Sequence, residues 1–295
     1  MELTKRDYLQ IFTAFNNTVR IYLVRDTDLL KDAISNKETL ATAIAALGRT
    51  LTATLIMGSM LKGDQSVAVK IDGDGPLGKI VCEADNSGRV MGYVENGGVY
   101  LKYNNGKLAV SLAVGQNGSL QVVKDLHLKE PFVSSVPLVS GEIAEDFTYY
   151  FAISEQVPSS VSLGVLVGLN NEVLASGGFI VQIMPDCKEE TINLIEENIK
   201  KIEPISNLIL KEVKPREIIK MIVGENEIEA LKTMPIKFEC RCSKDNFYKG
   251  IMSLGKKTIN QLLTQDHGAE ATCHYCGKKY YFDENDLKQM LAEAK

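Results

Sequence analysis

The chain has only three histidines in 295 residues, at 127, 267 and 274, and none sits in a recognisable catalytic motif. No nucleophile–base–acid set is visible, so the chain does not read as an enzyme. No phosphate loop is present either. The one Gly-rich candidate, "GDGPLG" at 73–78, lacks the lysine and hydroxyl of such a loop and falls at a turn between strand-like runs, so no nucleotide is expected. Positive charge is in deficit: 33 Lys and Arg face 38 Asp and Glu, a net charge of -5. That balance argues against bulk attraction to nucleic acid or to an anionic membrane. No continuous apolar run approaches the roughly 18 to 20 residues of a membrane span. The opening "MELTKRDYLQIF" has no basic-then-apolar signal pattern. A cytoplasmic protein with neither nucleic-acid nor membrane partners is the expectation.

What is present falls into three textures. Residues 1–184 alternate strand-like runs with tight turns. The runs are "DYLQIFTAF", "TVRIYLV", "QSVAVKI", "GKIVCEA", "RVMGYVE", "KLAVSLAV", "SLQVVKD", "VSLGVLVGL" and "EVLASGGFIVQI". Turns such as Asn86-Ser87-Gly88, Asn105-Gly106, Asn117-Gly118 and Asn170-Asn171 supply the positive φ angles of short hairpins. Short connections imply antiparallel pairing, because parallel crossovers need a dozen or more residues. Two helices are predicted: Lys37 to Leu61, capped by Ser35 or Asn36, and Glu142 to Glu155, stopped before Pro158. Ala41, Ala45, Gly48 and Thr52 give the first an unusually small face. The class is α+β, an antiparallel-sheet core domain with packed helices.

Residues 185–234 differ. Eighteen of the 46 residues from Lys188 to Thr233 are charged and the Gly-rich turns vanish. Ile192, Ile195, Ile199 and Ile202 form one helical stripe, with acidic Glu189 and Glu190 at its start and Lys200 and Lys201 at its end. Pro204 and Pro215 suit first turns and Gly224 a stop. The pattern predicts several short charged helices, a helical linker that is either docked or able to undock. Once undocked it would expose its buried Ile and Leu positions.

Residues 235–295 form a third block and hold four of the six cysteines. Cys240 and Cys242 precede Cys273 and Cys276 by 30 intervening residues. Two close pairs of thiolates suit one tetrahedral zinc, and four cysteines close the shell, which favours a structural over a catalytic ion. A tail this small needs such a staple. His267 and His274 are possible substitute ligands that four thiolates make unnecessary. Cysteines two or three apart can also approach within disulfide range, so each pair could close locally on oxidation and would then no longer bind metal as thiolates. Cys82 and Cys187 stand alone and read as core or surface thiols; His127 reads as a turn or surface residue.

The chain resembles the heat shock protein 33 family over essentially its whole length. The resemblance rests on "GDGPLGKIVCEAD" at 73–85, on the block from Lys124 to Val167, and on "FECRCS" and "CHYCGKKYYF". It differs from many relatives at Lys244-Asp245-Asn246 and at His127, away from the cysteines. The resemblance implies an ATP-independent holdase of the bacterial cytoplasm whose reduced, zinc-bound monomer is inactive. It implies one zinc held by Cys240, Cys242, Cys273 and Cys276, and oxidation to Cys240–Cys242 and Cys273–Cys276 disulfides. Zinc loss, unfolding of the linker, homodimerisation and binding of unfolding client proteins would follow. The competing reading is a zinc-ribbon nucleic-acid-binding or regulatory protein, suggested by lysines beside Tyr280, Tyr281 and Phe282. A thiol oxidoreductase is disfavoured because the CxxC is not at a strand-to-helix junction.

Overall fold

Strand-like runs joined by short turns condense into antiparallel sheets, and both faces of one of those sheets are apolar. The computed structural model describes residues 6–293. The chain divides into two compact units, Met1–Glu239 and Cys240–Lys295. In the larger unit β1 (Tyr8–Ala14) and β2 (Val19–Arg25) lead into α1 (Thr27–Ile34) and α2 (Ala41–Ser59). A meander of β3 (Ser66–Asp72), β4 (Lys79–Asp85) and β5 (Arg89–Val94) follows, then α3 (Val110–Val114), β6 (Ser119–Asp125), β7 (Phe132–Pro137) and α4 (Ala144–Ile153). The hairpin β8 (Ser159–Val167) and β9 (Val173–Ile183) precedes α5 (Glu189–Lys201), α6 (Ile205–Leu210), α7 (Pro215–Val223), β10 (Ile228–Met234) and β11 (Lys237–Phe238). The smaller unit has α8 (Lys244–Ser253), α9 (Lys256–Thr264), β12 (Ala269–Thr272), β13 (Lys279–Phe282) and α10 (Glu284–Glu293).

The five-stranded sheet runs β10-β1-β2-β9-β8 and the six-stranded sheet β11-β5-β4-β3-β6-β7. Every pair is antiparallel except β11 with β5. Leu9, Ile11, Tyr22, Val24 and Ile180 on one face of the first sheet share a core with Val67, Val69, Ile71, Ile80 and Val122 of the second, and with α2. Eighteen of the 19 residues of α2 are buried; Arg49 is the exception. Its guanidinium donates to the Glu142 carboxylate at 2.8 Å and to the Glu142 carbonyl at 3.1 Å. The helix is long and apolar enough on average to cross a membrane, although no unbroken apolar run exists, and 94% of it is buried inside the fold. It is a core helix. A Cβ on Gly48 would lie 2.6 Å from Leu30 Cδ2 and 2.8 Å from Val165 Cγ2, so the small face is needed for close approach.

The other face of the five-stranded sheet shows Tyr8, Phe12, Ile21, Leu23, Phe179 and Val181, packed against Ile195, Ile205, Leu208, Ile209, Ile218, Ile219, Ile222 and Val223 of α5, α6 and α7. The charged segment is therefore docked. Its capping follows the sequence: Glu189 and Glu190 in the first turn of α5, Lys200 and Lys201 in the last, Pro215 in the first turn of α7, and Gly224 ending α7 at φ 72°.

Four local expectations change. Leu40, predicted inside the first helix, is extended and donates its N–H to Gly97 O at 2.8 Å, so α2 begins at Ala41; Ser35 instead closes α1, a helix the pattern did not reveal. "KLAVSLAV" is not a strand: Val110, Ala113 and Val114 bury one face of the short helix α3. The carbonyls of Ala113 and Val114 accept from Leu77 and Gly75 N–H at 3.0 and 2.9 Å, which explains "GDGPLG" as a packing loop. The charged segment ends in a strand, β10, drawn onto the free edge of β1 by backbone pairing although its five middle residues are exposed. The strand β7 was not foreseen; its exposed residues hide the alternation.

Replacing Gly48 by alanine is expected to lower stability by about 1–3 kcal/mol through overpacking, read as a lower urea midpoint at unchanged slope. A second expectation concerns Asp26, fully buried where α1, α2 and β9 meet, with the Thr52 hydroxyl donating to it at 2.6 Å. Burial raises its pKa from 3.8 to about 7, against the pull of the Ser176 and Thr52 hydroxyls. The folded chain then holds a proton that the unfolded chain releases. This contribution to stability is complete below pH 3.8 and lost as pH rises through about 7. Asp26→Asn should flatten that slope, leaving the variant more stable than the parent at pH 8 in urea titrations; an unchanged slope would contradict the assignment.

Candidate metal centre

The first cysteine pair lies just ahead of α8. Ser243 caps this helix by accepting from the Asn246 N–H at 3.1 Å, and the Asn246 side chain donates to Arg241 O at 3.3 Å. The chain is thus turned tightly around Cys240-Arg241-Cys242. The second pair sits in the turn of the β12–β13 hairpin. There Cys273 N–H donates to Lys278 O at 2.9 Å and Gly277 N–H to Cys273 O at 2.8 Å. Gly277 adopts φ 72°, the left-handed conformation that reverses the chain just after Cys276.

All four sulfurs lie within 4.8 Å of one another. Cys240 Sγ is 3.5 Å from Cys273 Sγ, and Cys242 Sγ is 3.4 Å from Cys276 Sγ. Zinc–thiolate bonds near 2.3 Å in a tetrahedron require sulfur–sulfur separations of about 3.8 Å. The donor set and spacing therefore fit a tetrahedral ion without rearranging the backbone. Among the described residues no other group of His, Cys, Asp and Glu converges in this way. His267 pairs instead with Glu284 at 3.0 Å, and His274 faces solvent, so neither joins the cluster. His127, at φ 57° in a turn, lies 2.9 Å from Asp64.

The local electrostatics treat the sulfurs unequally, shifting Cys242 in the opposite direction to Cys240 and Cys276. Burial opposes ionisation of Cys242, but the Tyr280 hydroxyl, 3.2 Å away, and the other three thiols outweigh it and hold its pKa below the ordinary value. Burial pushes Cys240 and Cys276 up, although the Cys242 and Lys278 amides work in the other direction. A cation among the sulfurs would replace the shared protons, which is why metal binding to such a site releases protons. Beneath the cluster Ile251, Ile259, Tyr280, Phe282, Leu287 and Met290 form the unit's own small core. Tyr280 and Phe282 are spent there, and only Tyr281 is exposed, so the aromatic residues beside the lysines do not form a stacking platform. Lys279 and Lys244 are paired with Glu270 and Asp286 at 2.8 and 2.9 Å.

The isolated cysteines are elsewhere. Cys82 lies on β4, wholly buried, and burial pushes its thiol well above the usual range; Cys187 is half-buried against the core beneath α5–α7. The 3.2 Å contact between Tyr280 Oη and Cys242 Sγ is one that residue spacing does not reveal, since Tyr280 reads simply as a packing aromatic.

The family model described as "Hsp33 protein" matches residues 7–283. The 33 kDa chaperonin of Bacillus subtilis is 50% identical over 285 residues, covering 96% of this chain and 98% of the relative. That of Staphylococcus carnosus is 48% identical, covering 98% of each chain. The crystal structure of the 33 kDa chaperonin from Thermotoga maritima superposes with a TM-score of 0.91 at 36% identity, covering 98% of both chains.

Cobalt(II) titration of the reduced full chain is expected to give one tetrahedral thiolate-coordinated ion per chain by absorption. Cys273→Ser should weaken binding by more than the roughly 10–100-fold typical of losing an outer-shell partner. Chelation should speed amide exchange throughout residues 240–293 far more than in α2. Unchanged exchange would show that the ion does not hold this unit together.

Proposed function

The chain belongs to the Hsp33 protein family, and from that premise we propose that it is a redox-controlled, ATP-independent holdase that keeps unfolding proteins from aggregating under oxidative stress. The observation that carries this reading is the convergence of four sulfurs from two short pairs, Cys240/Cys242 and Cys273/Cys276, on a point that suits one zinc ion. When bound, zinc would cross-link the turn before α8 to the β12–β13 turn and make up for a core cluster of six buried residues.

Oxidant then acts on the chain's own sulfurs. Two thiolates of one pair give up two electrons to one molecule of hydrogen peroxide, which with two protons becomes two waters, and an S–S bond forms. Repeated at the other pair, this leaves Cys240–Cys242 and Cys273–Cys276 disulfides and no thiolate to hold a metal. The unit loses its cross-link and unfolds. The segment that ends at the cysteine unit, residues 185–234, is the second responsive element. α5, α6 and α7 are short, α5 and α7 with charged outer faces and α6 without a charged residue, and they depend on docking for their helicity. Undocking exposes Ile205, Leu208, Ile218 and Ile222 together with Phe12, Ile21 and Phe179 beneath them, an apolar surface suited to unfolded clients. The core of 1–184 supplies that sheet face and the dimer contacts of the active form. The protein works in the cytoplasm as a binding protein, with no nucleotide, nucleic acid or membrane as partner.

Treatment of the zinc-loaded chain with hypochlorite or warm peroxide should release one zinc per chain and confer suppression of aggregation on a thermally unfolding client, both reversed by reductant. Zinc release with no gain in anti-aggregation activity would sink the proposal, as would a Cys240→Ser/Cys242→Ser variant that still switches normally.

A further inference from the structure

We propose that Tyr280 is a positioning residue of the thiolate centre, its hydroxyl donating to Cys242 Sγ so that this sulfur is oriented toward the other three and its reactivity toward electrophiles and oxidants is restrained. The inference deepens the preceding section and rests on the reading of the four cysteines as metal ligands.

The geometry is specific to one sulfur. Tyr280 Oη lies 3.2 Å from Cys242 Sγ, within the range of an O–H···S bond. The ring that carries the hydroxyl is fixed from several sides. Tyr280 is buried on β13, opposite Ala271 of β12. Its ring packs against Phe247 of α8 at a centroid separation of 5.1 Å, and Lys278 Nζ lies 5.3 Å from its centroid. Phe247 is five residues beyond Cys242 on the helix that follows the first pair. The phenol thus links the hairpin bearing Cys273 and Cys276 to the turn bearing Cys240 and Cys242. A phenylalanine would fill the same space, so the hydroxyl is not required for packing. Donation into a sulfur lone pair draws electron density from the atom that attacks an electrophile, and less basic sulfur is a weaker nucleophile. Outer-shell hydrogen bonds of this kind orient first-shell ligands and tune them.

Two measurements on the full chain test this. In protein loaded with cadmium-113, a scalar coupling is expected between the Tyr280 hydroxyl proton and the metal, transmitted through Cys242 Sγ. It should vanish in Tyr280→Phe. Uptake of cadmium without that coupling in the parent chain overturns this inference alone; failure to take up cadmium overturns the four-thiolate reading and this inference with it. In the second measurement, zinc-loaded parent and Tyr280→Phe are treated briefly with iodoacetamide, and modification of each cysteine is quantified by mass spectrometry. The thiolate sulfur bonds to the acetamide carbon and iodide leaves with the bonding pair. Modification at Cys242 should rise about threefold to tenfold in the variant relative to the other three cysteines. A uniform rise at all four would assign Tyr280 a role in packing only, and no change at any would deny the restraint. Both outcomes would overturn the proposal.

Discussion

The five-stranded sheet is apolar on both sides because β1, β2 and the Phe179–Val181 stretch of β9 bury side chains at successive positions, and the rest of the larger unit is arranged to keep both sides dry. Along β1 every residue is buried, Leu9 and Ile11 toward the core around α2, Tyr8 and Phe12 toward α5–α7. A sheet of this kind cannot leave one face in water as an ordinary antiparallel sheet does. One cover is α2, buried except at Arg49 and held in close contact at Gly48. The other consists of three short helices, with charged residues on the outer surfaces of α5 and α7 and in the loops that flank α6. Exposed pairs such as Lys211–Glu203 and Lys220–Glu225 contribute about 0–1 kcal/mol each, whereas each buried Ile or Leu contributes about 1.5–3 kcal/mol. Docking of the charged segment is therefore a matter of apolar burial, and it is a cooperative one because none of its helices is stable in isolation.

The smaller unit is held together on a different principle. Among the described residues its core cluster has six buried side chains, too few for an independent domain, and its two cysteine pairs flank α8, α9 and β12. A shared cation would supply cohesion that area cannot. With such a cation the unit's stability would depend on its thiolates, since ligands that bind a metal as thiolates are also the groups an oxidant attacks. In the larger unit Cys82 is wholly buried in the core, and Cys187 is half-buried against the second core with its thiol 3.8 Å from Lys188 O, so neither belongs to a thiolate cluster.

Much of this is legible in the sequence. Asn-Gly and Gly-rich turns announced the antiparallel sheets, the Ile192–Ile202 stripe announced α5, and the CxC and CxxC pairs announced the thiolate cluster. Failures occurred where a distant partner overrides local pattern. Leu40 is extended because Gly97 accepts its N–H. "KLAVSLAV" alternates well enough for a strand, but its loop neighbour at 73–78 takes up the carbonyls of a helical turn. Ile228–Met234 has five exposed residues in its middle and becomes a strand because β1 offers an unpaired edge.

The sequence by itself determined the element types of the strongly periodic segments, the identity of the four clustered cysteines and the charge pattern of the docked helices, because each is written in spacing that local geometry must obey. Tertiary structure alone decided that Asp26 is buried with a raised pKa, that the charged segment covers the second face of a sheet, and that the hydroxyl of Tyr280 reaches one sulfur of four. These depend on which surfaces meet after folding, and residues far apart in the chain acquire their dielectric surroundings and hydrogen-bond partners only when they do.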